Sequence, residues 1–251
     1  MTVVLAGEGL TVDYGGVRAL AGVDIAVEEG EVVGLVGANG AGKSTLLECL
    51  AGYTRPSPGR VLYQGADVTG VGPDARARRG IVRSFQDARL FPSMSVIDAL
   101  LLAQDWTSKS GVISSVLGSP RWRAQEGRRR AEAVRLAGEM GLDPYLDRVV
   151  AELSMGVRRI LDLACVIALR PRVLLLDEPS AGLASAETVA LGRLLAGLRD
   201  ATGATLVVVE HDLPLVWGLA GRIAVLEEGR LVAFGPPAEI RHHPAVAFGE
   251  F

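Results

Sequence analysis

Nine consecutive residues, Gly37-Ala38-Asn39-Gly40-Ala41-Gly42-Lys43-Ser44-Thr45, stand between the apolar run Val32 to Val36 and a helix-compatible stretch that begins at Lys43. A strand that breaks into glycines and turns at once into a helix gathers backbone N–H groups and a positive helix end around one point, where a chain of phosphates can sit. Glycines are needed there because the backbone must curl closely around the ligand.

The spacing fits the P-loop pattern in its required strand–loop–helix setting. Lys43 is then placed to reach β- and γ-phosphates, Ser44 to ligate Mg²⁺, and Gly37, Asn39, Gly40, Ala41, Gly42 and Thr45 to complete the wall of the phosphate site. Such a site also needs an acidic residue at the end of another buried strand to hold the metal. Val173-Leu174-Leu175-Leu176-Asp177-Glu178 supplies an apolar run ending in two carboxylates. Asp177 is the candidate on the metal side, and Glu178 the candidate that orients or deprotonates an attacking water.

Further apolar runs, Leu206 to Val209 and Ile223 to Leu226, alternate with helical patterns such as Lys43 to Ala51 and Glu187 to Arg199. This alternation predicts an α/β layer with a parallel sheet. Glu28-Glu29-Gly30 and Glu227-Glu228-Gly229 interrupt strand-like sequence as hairpin turns would, which predicts antiparallel pairing at the edges. The middle of the chain is dominated by helix-compatible stretches, Ser95 to Gln104 and Gln125 to Met140, with a turn-rich break from Gly111 to Pro120. It is expected to form a helical insertion. The arginines at 121, 123 and 128–130 are read as a solvated helix face.

With 26 basic and 29 acidic side chains in 251 residues, the chain offers no electrostatic case for binding nucleic acid. Cys49 and Cys165 lie in apolar, helix-like sequence without metal-ligand spacing, which suits a reducing compartment. The first residues lack the pattern of a secretory signal, and no run approaches the roughly 18 apolar residues of a membrane span, so a membrane role is expected to come through partners.

Taken in order, these motifs make the chain resemble the ATP-binding subunits of ABC transporters over essentially its whole length. The resemblance implies a P-loop NTPase (RecA-like) core with an edge antiparallel β subdomain and an inserted α-helical subdomain. Its expected divisions are 1–87 and 153–230 for the two parts of the ATP-binding core, the signature helix included in the second, 88–152 for the helical subdomain and 231–251 for a C-terminal tail. It also implies roles: Tyr14 stacks on adenine, Gln86 contacts Mg²⁺ or the water, and His211 hydrogen-bonds the γ-phosphate and Glu178. The signature segment is Leu153-Ser154-Met155-Gly156-Val157, where Ser154 and Gly156 are retained while Met155 and Val157 replace a glycine and a glutamine. In the family this segment completes the nucleotide site of an opposing subunit, and Ala184 stands where many relatives carry aspartate.

ATP and Mg²⁺ are therefore the expected cofactors. The expected partners are a second ABC ATPase, in a homodimer or heterodimer, transmembrane permease subunits docked around Phe85 to Pro92 and, indirectly, a solute-binding protein. The place implied is the cytoplasmic side of the plasma (inner) membrane, as a peripheral subunit. Tyr14 to Leu20, Gln86 to Phe91 and the long insertion near Ser108 to Arg130 look most like the branched-chain amino acid importers. The alternatives are a catalytically weak regulatory subunit of a heterodimer, motivated by Met155 and Val157, and the energiser of a lipid exporter.

Overall fold

The structure is a computed structural model that describes residues 2–84, 91–107 and 120–247. Gln86, most of the expected docking segment and nearly all of the expected break from Gly111 lie outside the described residues. The chain divides into two compact units, Met1–Gln86 with Pro171–Phe251, and Asp87–Arg170.

The first unit holds two sheets. Strands β1 (Val3–Tyr14), β2 (Val17–Glu28), β4 (Arg60–Tyr63) and β5 (Ala66–Asp67) form an antiparallel sheet in the order β2-β1-β4-β5. Strands β3 (Val32–Val36), β6 (Ile81–Arg83), β7 (Val173–Asp177), β8 (Thr205–Val209), β9 (Arg222–Glu227) and β10 (Arg230–Gly235) form the other, ordered β10-β9-β3-β8-β7-β6. In it β9, β3, β8, β7 and β6 run parallel, and β10 is antiparallel to β9. Every residue of β3, β7 and β8 is buried, as continuous apolar runs covered on both faces require. Helix α1 (Lys43–Ala51) shares one hydrophobic core with both sheets, through Leu46, Leu47 and Leu50 on the helix, Leu5 and Leu10 on β1, and Leu35, Leu175 and Val207 on the parallel strands. Each of those helix leucines is fully buried and contributes about 1.5–3 kcal/mol, which anchors the helix that follows the glycine loop.

One expected hairpin is not formed. Glu28-Glu29-Gly30 was expected to reverse a pair of neighbouring strands, but β2 and β3 belong to different sheets, and the early hairpin is β1–β2, turning at Gly15-Gly16. Burial explains the outcome: β2 buries alternate residues and suits a sheet covered on one side, whereas β3 is buried throughout and pairs between β8 and β9. The other expected turn is present, with Glu227 opposite Arg230 across Glu228-Gly229.

The second unit contains helices α3 (Val96–Thr107), α4 (Pro120–Glu139) and α5 (Met155–Ala168); α2 (Pro73–Arg78) belongs to the first. The expected division at residue 153 would place α5 with the core. In the structure α5 packs on α3 and α4, burying Leu161, Ala164, Ile167 and Ala168 along one stripe, so the helical unit extends to Arg170. Helices α6 (Ser185–Thr202), α7 (Leu213–Leu219), α8 (Pro237–Ile240) and α9 (Pro244–Ala247) complete the first unit. Among the described residues no helix is long and apolar enough to cross a membrane.

Candidate nucleotide site

The glycine loop closes against the backbone of its neighbours. Gly37 has φ +151° and a Cβ there would lie 2.2 Å from the Leu226 carbonyl oxygen; Gly42 has φ +101° and its Cβ would lie 2.4 Å from the Ala19 carbonyl oxygen. No side chain fits at either place. Helix α1 starts at Lys43 with no side-chain cap on its N-terminal N–H groups, which leaves those donors for an anion.

Lys43 is 6% exposed, and its Nζ donates to the carbonyls of Gly37 at 2.6 Å and Ala38 at 2.9 Å, so the ammonium is held directly beneath the loop. Burial lowers its pKa, and the carboxylates of Glu178 and Asp177 partly offset that effect. The next residue, Ser44, donates its hydroxyl toward Asp177 Oδ1 at 3.5 Å. This joins the helix after the loop to the end of β7, and the hydroxyl and carboxylate are hard oxygen donors of the kind that Mg²⁺ takes alongside phosphates.

Glu178 follows β7 with φ +47°, a left-handed conformation unusual for a residue with a Cβ. Its N–H donates to the Val209 carbonyl at 2.9 Å, the last crossing between the backbones of β7 and β8, and the turn aims its side chain toward the loop after β8. There His211 Nε2 and Glu178 Oε1 stand 3.1 Å apart. A carboxylate and an imidazole so paired can share the task of holding and deprotonating a water.

Two further residues join this constellation and were not singled out from the sequence. Arg83, at the end of β6, donates to Asp177 Oδ2 at 2.7 Å and lies 3.7 Å from Glu48 Oε1. Glu210, beside His211, is 3% exposed and accepts from the backbone N–H groups of Ser180 at 2.7 Å and His211 at 3.1 Å. No spacing rule marks an arginine at a strand end or a glutamate before a histidine.

Tyr14 stands at the tip of the β1–β2 hairpin, 49% exposed, with its hydroxyl 3.2 Å from Thr54 Oγ1 and 3.5 Å from Glu48 Oε2. The hydroxyl is fixed at the C-terminal end of α1 while the residue remains open to solvent, a position suited to a stacking aromatic. Ser154 and Gly156 belong to the second unit. Ser154 is the N-cap of α5, its Oγ accepting from the Val157 N–H at 3.3 Å, and Met155 beside it is 81% exposed. The structure thus brings Lys43, Ser44, Asp177, Glu178 and His211 into one constellation in the first unit, and Gln86 falls outside the described residues.

Comparison with known proteins gives a consistent picture. The ABC transporter family matches residues 20–181. The high-affinity branched-chain amino acid transport ATP-binding protein LivG of Salmonella typhimurium is 38% identical over 97% of this chain and 95% of its own length. BraF of Pseudomonas aeruginosa, of the same description, is 37% identical over 97% and 95%, and the cobalt import ATP-binding protein CbiO of Rhodobacter capsulatus is 39% identical over 96% and 81%. Among solved structures, MJ1267, an ATP-binding cassette of an ABC transporter, superposes in its ADP conformation with a TM-score of 0.82 at 27% identity, covering 98% of both chains.

Proposed function

The chain belongs to the ABC transporter family, and we propose that it is the subunit whose MgATP hydrolysis powers import of branched-chain amino acids or similar small polar solutes. The observation that carries this reading is the pairing of Glu178 Oε1 with His211 Nε2 at 3.1 Å in the same unit as Lys43, Ser44 and Asp177. Binding alone would need the glycine loop and lysine; a base held by a histidine is what hydrolysis adds.

In the proposed reaction Lys43 and the N–H groups of the loop hold the β- and γ-phosphates. Ser44 and Asp177 present the oxygens that would hold Mg²⁺, and the bound ion supplies charge neutralisation on those phosphates. Glu178 takes the proton of the attacking water as the water's oxygen bonds to the γ-phosphorus, the bond from that phosphorus to the bridging β–γ oxygen breaks and ADP leaves. His211 fixes the carboxylate by its hydrogen bond and offers a donor to the γ-phosphate oxygen. Tyr14 takes the adenine face, and Gln86 senses the metal or the water from the segment that follows β6. Ser154, the N-cap of α5, and Gly156, in its first turn, are assigned to the nucleotide site of an opposing ATPase subunit, which makes the working form a homodimer or heterodimer on the cytoplasmic face of the membrane, docked to permease subunits.

Steady-state MgATPase activity of the purified chain, alone and with candidate partner subunits, tests this beside Glu178→Gln. Turnover that falls by about 10²–10⁴-fold in the variant, with ATP still bound, is the expected result. Turnover that survives the substitution unchanged removes Glu178 from the reaction. Binding without turnover under every condition favours a regulatory subunit instead, the role that Met155 and Val157, in place of a glycine and a glutamine of the signature segment, suggest.

A further inference from the structure

Among the described residues, the segments that follow β7 and β8 share no backbone–backbone hydrogen bond beyond that of Glu178, and the next crossing is made by a side chain. Glu210 Oε1 accepts from Ser180 N–H at 2.7 Å and Oε2 from His211 N–H at 3.1 Å, so one carboxylate spans the loop after β7 and the loop after β8. The first loop carries Glu178 and the second carries His211. Both oxygens of a side chain only 3% exposed are thus committed to backbone donors, and charge-assisted bonds of this kind are stronger and more directional than neutral ones.

We propose that Glu210 is a positioning residue that ties these two loops together and thereby holds the His211 imidazole in reach of the Glu178 carboxylate. The proposal rests on the hydrolytic reading of that pair. Glu210 is not itself in contact with the reacting atoms; it fixes the distance between two groups that are. A glutamine at this position keeps one carbonyl acceptor but turns an NH₂ toward the other N–H, so it preserves half of the tie. Alanine leaves both N–H groups without their partner.

The test uses the full chain with Glu210→Ala and Glu210→Gln, each alone and combined with His211→Ala. Hydrogen exchange is followed in segments 178–184, 210–213 and 37–45, with ATP affinity, kcat and KM measured on the same preparations. Faster exchange is expected in the first two segments and not in the glycine loop. Because a small misplacement of a reacting group is costly, Glu210→Ala should lower kcat by about 10²-fold and Glu210→Gln by about tenfold, with ATP affinity changed by less than about twofold. On a His211→Ala background the Glu210 substitutions should cost little more, since they act through the same pair.

An unchanged kcat, an equal extra loss without His211, or exchange raised alike in all three segments would overturn the proposal. If Glu210→Ala does not fold, Glu210→Gln carries the same three readings. A wild-type chain that binds ATP without turnover would sink the hydrolytic reading alone. Exchange then still decides the tie: acceleration confined to the two loops keeps it, and no change removes it.

Discussion

Arg83 and Asp177 form an ion pair at 2.7 Å in which the two side chains are 10% and 2% exposed. The contact uses Asp177 Oδ2, while Oδ1 faces the Ser44 hydroxyl, so the two oxygens of the carboxylate have different partners.

Removing one member of a buried pair leaves an uncompensated charge. Arg83→Met should therefore lower the stability of the chain by about 3–5 kcal/mol, read by chemical denaturation in the presence of a chelator. Mg²⁺ with ATP should recover more of that stability in the variant than it adds to the wild type, because Asp177 gains a cation that it otherwise has from Arg83. Equal stabilisation of both proteins by MgATP would show that Asp177 does not face the metal.

Arg76 presents the opposite arrangement, a fully buried guanidinium whose partners are backbone carbonyls. It donates to Cys49 at 2.7 Å and Leu50 at 2.8 Å, carbonyls in the last turn of α1, and to Val68 at 2.5 Å and Val71 at 2.9 Å. Burial pulls its pKa down to about 10. Arg76→Met fills much of the volume, and while Val68 and Cys49 keep backbone donors in Val71 N–H and Gly52 N–H, the Leu50 and Val71 carbonyls lose their guanidinium donor at about 1–3 kcal/mol each, so a loss of at least about 2 kcal/mol is expected in denaturant unfolding. A loss below about 1 kcal/mol would mean that other donors take over the end of α1.

Asp162, on α5, gives a pH dependence. Burial pushes its carboxyl up to about 6 from 3.8, against a smaller opposing pull from Arg159. With the folded value above the unfolded one, its favourable contribution is full below about pH 4 and is lost as pH rises through 6, where folding must either retain the proton or bury the charge. Asp162→Asn should accordingly match the wild type near pH 4 and become the more stable protein by roughly 1–3 kcal/mol at pH 8. Unfolding curves across that range decide it; a constant difference would rule out titration of this group.

The nucleotide site was legible wherever it was local. Gly37 to Thr45 announces its own turn and helix, and Val173 to Glu178 announces a buried strand ending in carboxylates, because each signal lies within one element and its neighbours in sequence. Arg83 and Glu210 were not legible for the same reason inverted. Arg83 meets Asp177 only because β6 pairs with β7 across a separation of 94 residues, and Glu210 meets Ser180 across 30. Turn chemistry at Glu28-Glu29-Gly30 tells where the chain bends and not which sheet receives the next strand, so the passage of β3 into the second sheet is not written there. The end of the helical unit was placed too early because the apolar stripe of α5 has the same 3.6-residue period whichever unit it packs on.

The left-handed backbone at Glu178 sets a hidden opposition between durability and turnover. At φ +47° a residue with a Cβ sits about 1–2 kcal/mol above its relaxed conformation, and only glycine, or to a lesser degree asparagine, would be at ease there. Both lack the carboxylate of the proposed base. Selection for heat resistance alone would thus favour, at this one position, replacements that remove the proposed base, and on that proposal directed evolution of a sturdier variant would have to hold residue 178 fixed to keep its turnover.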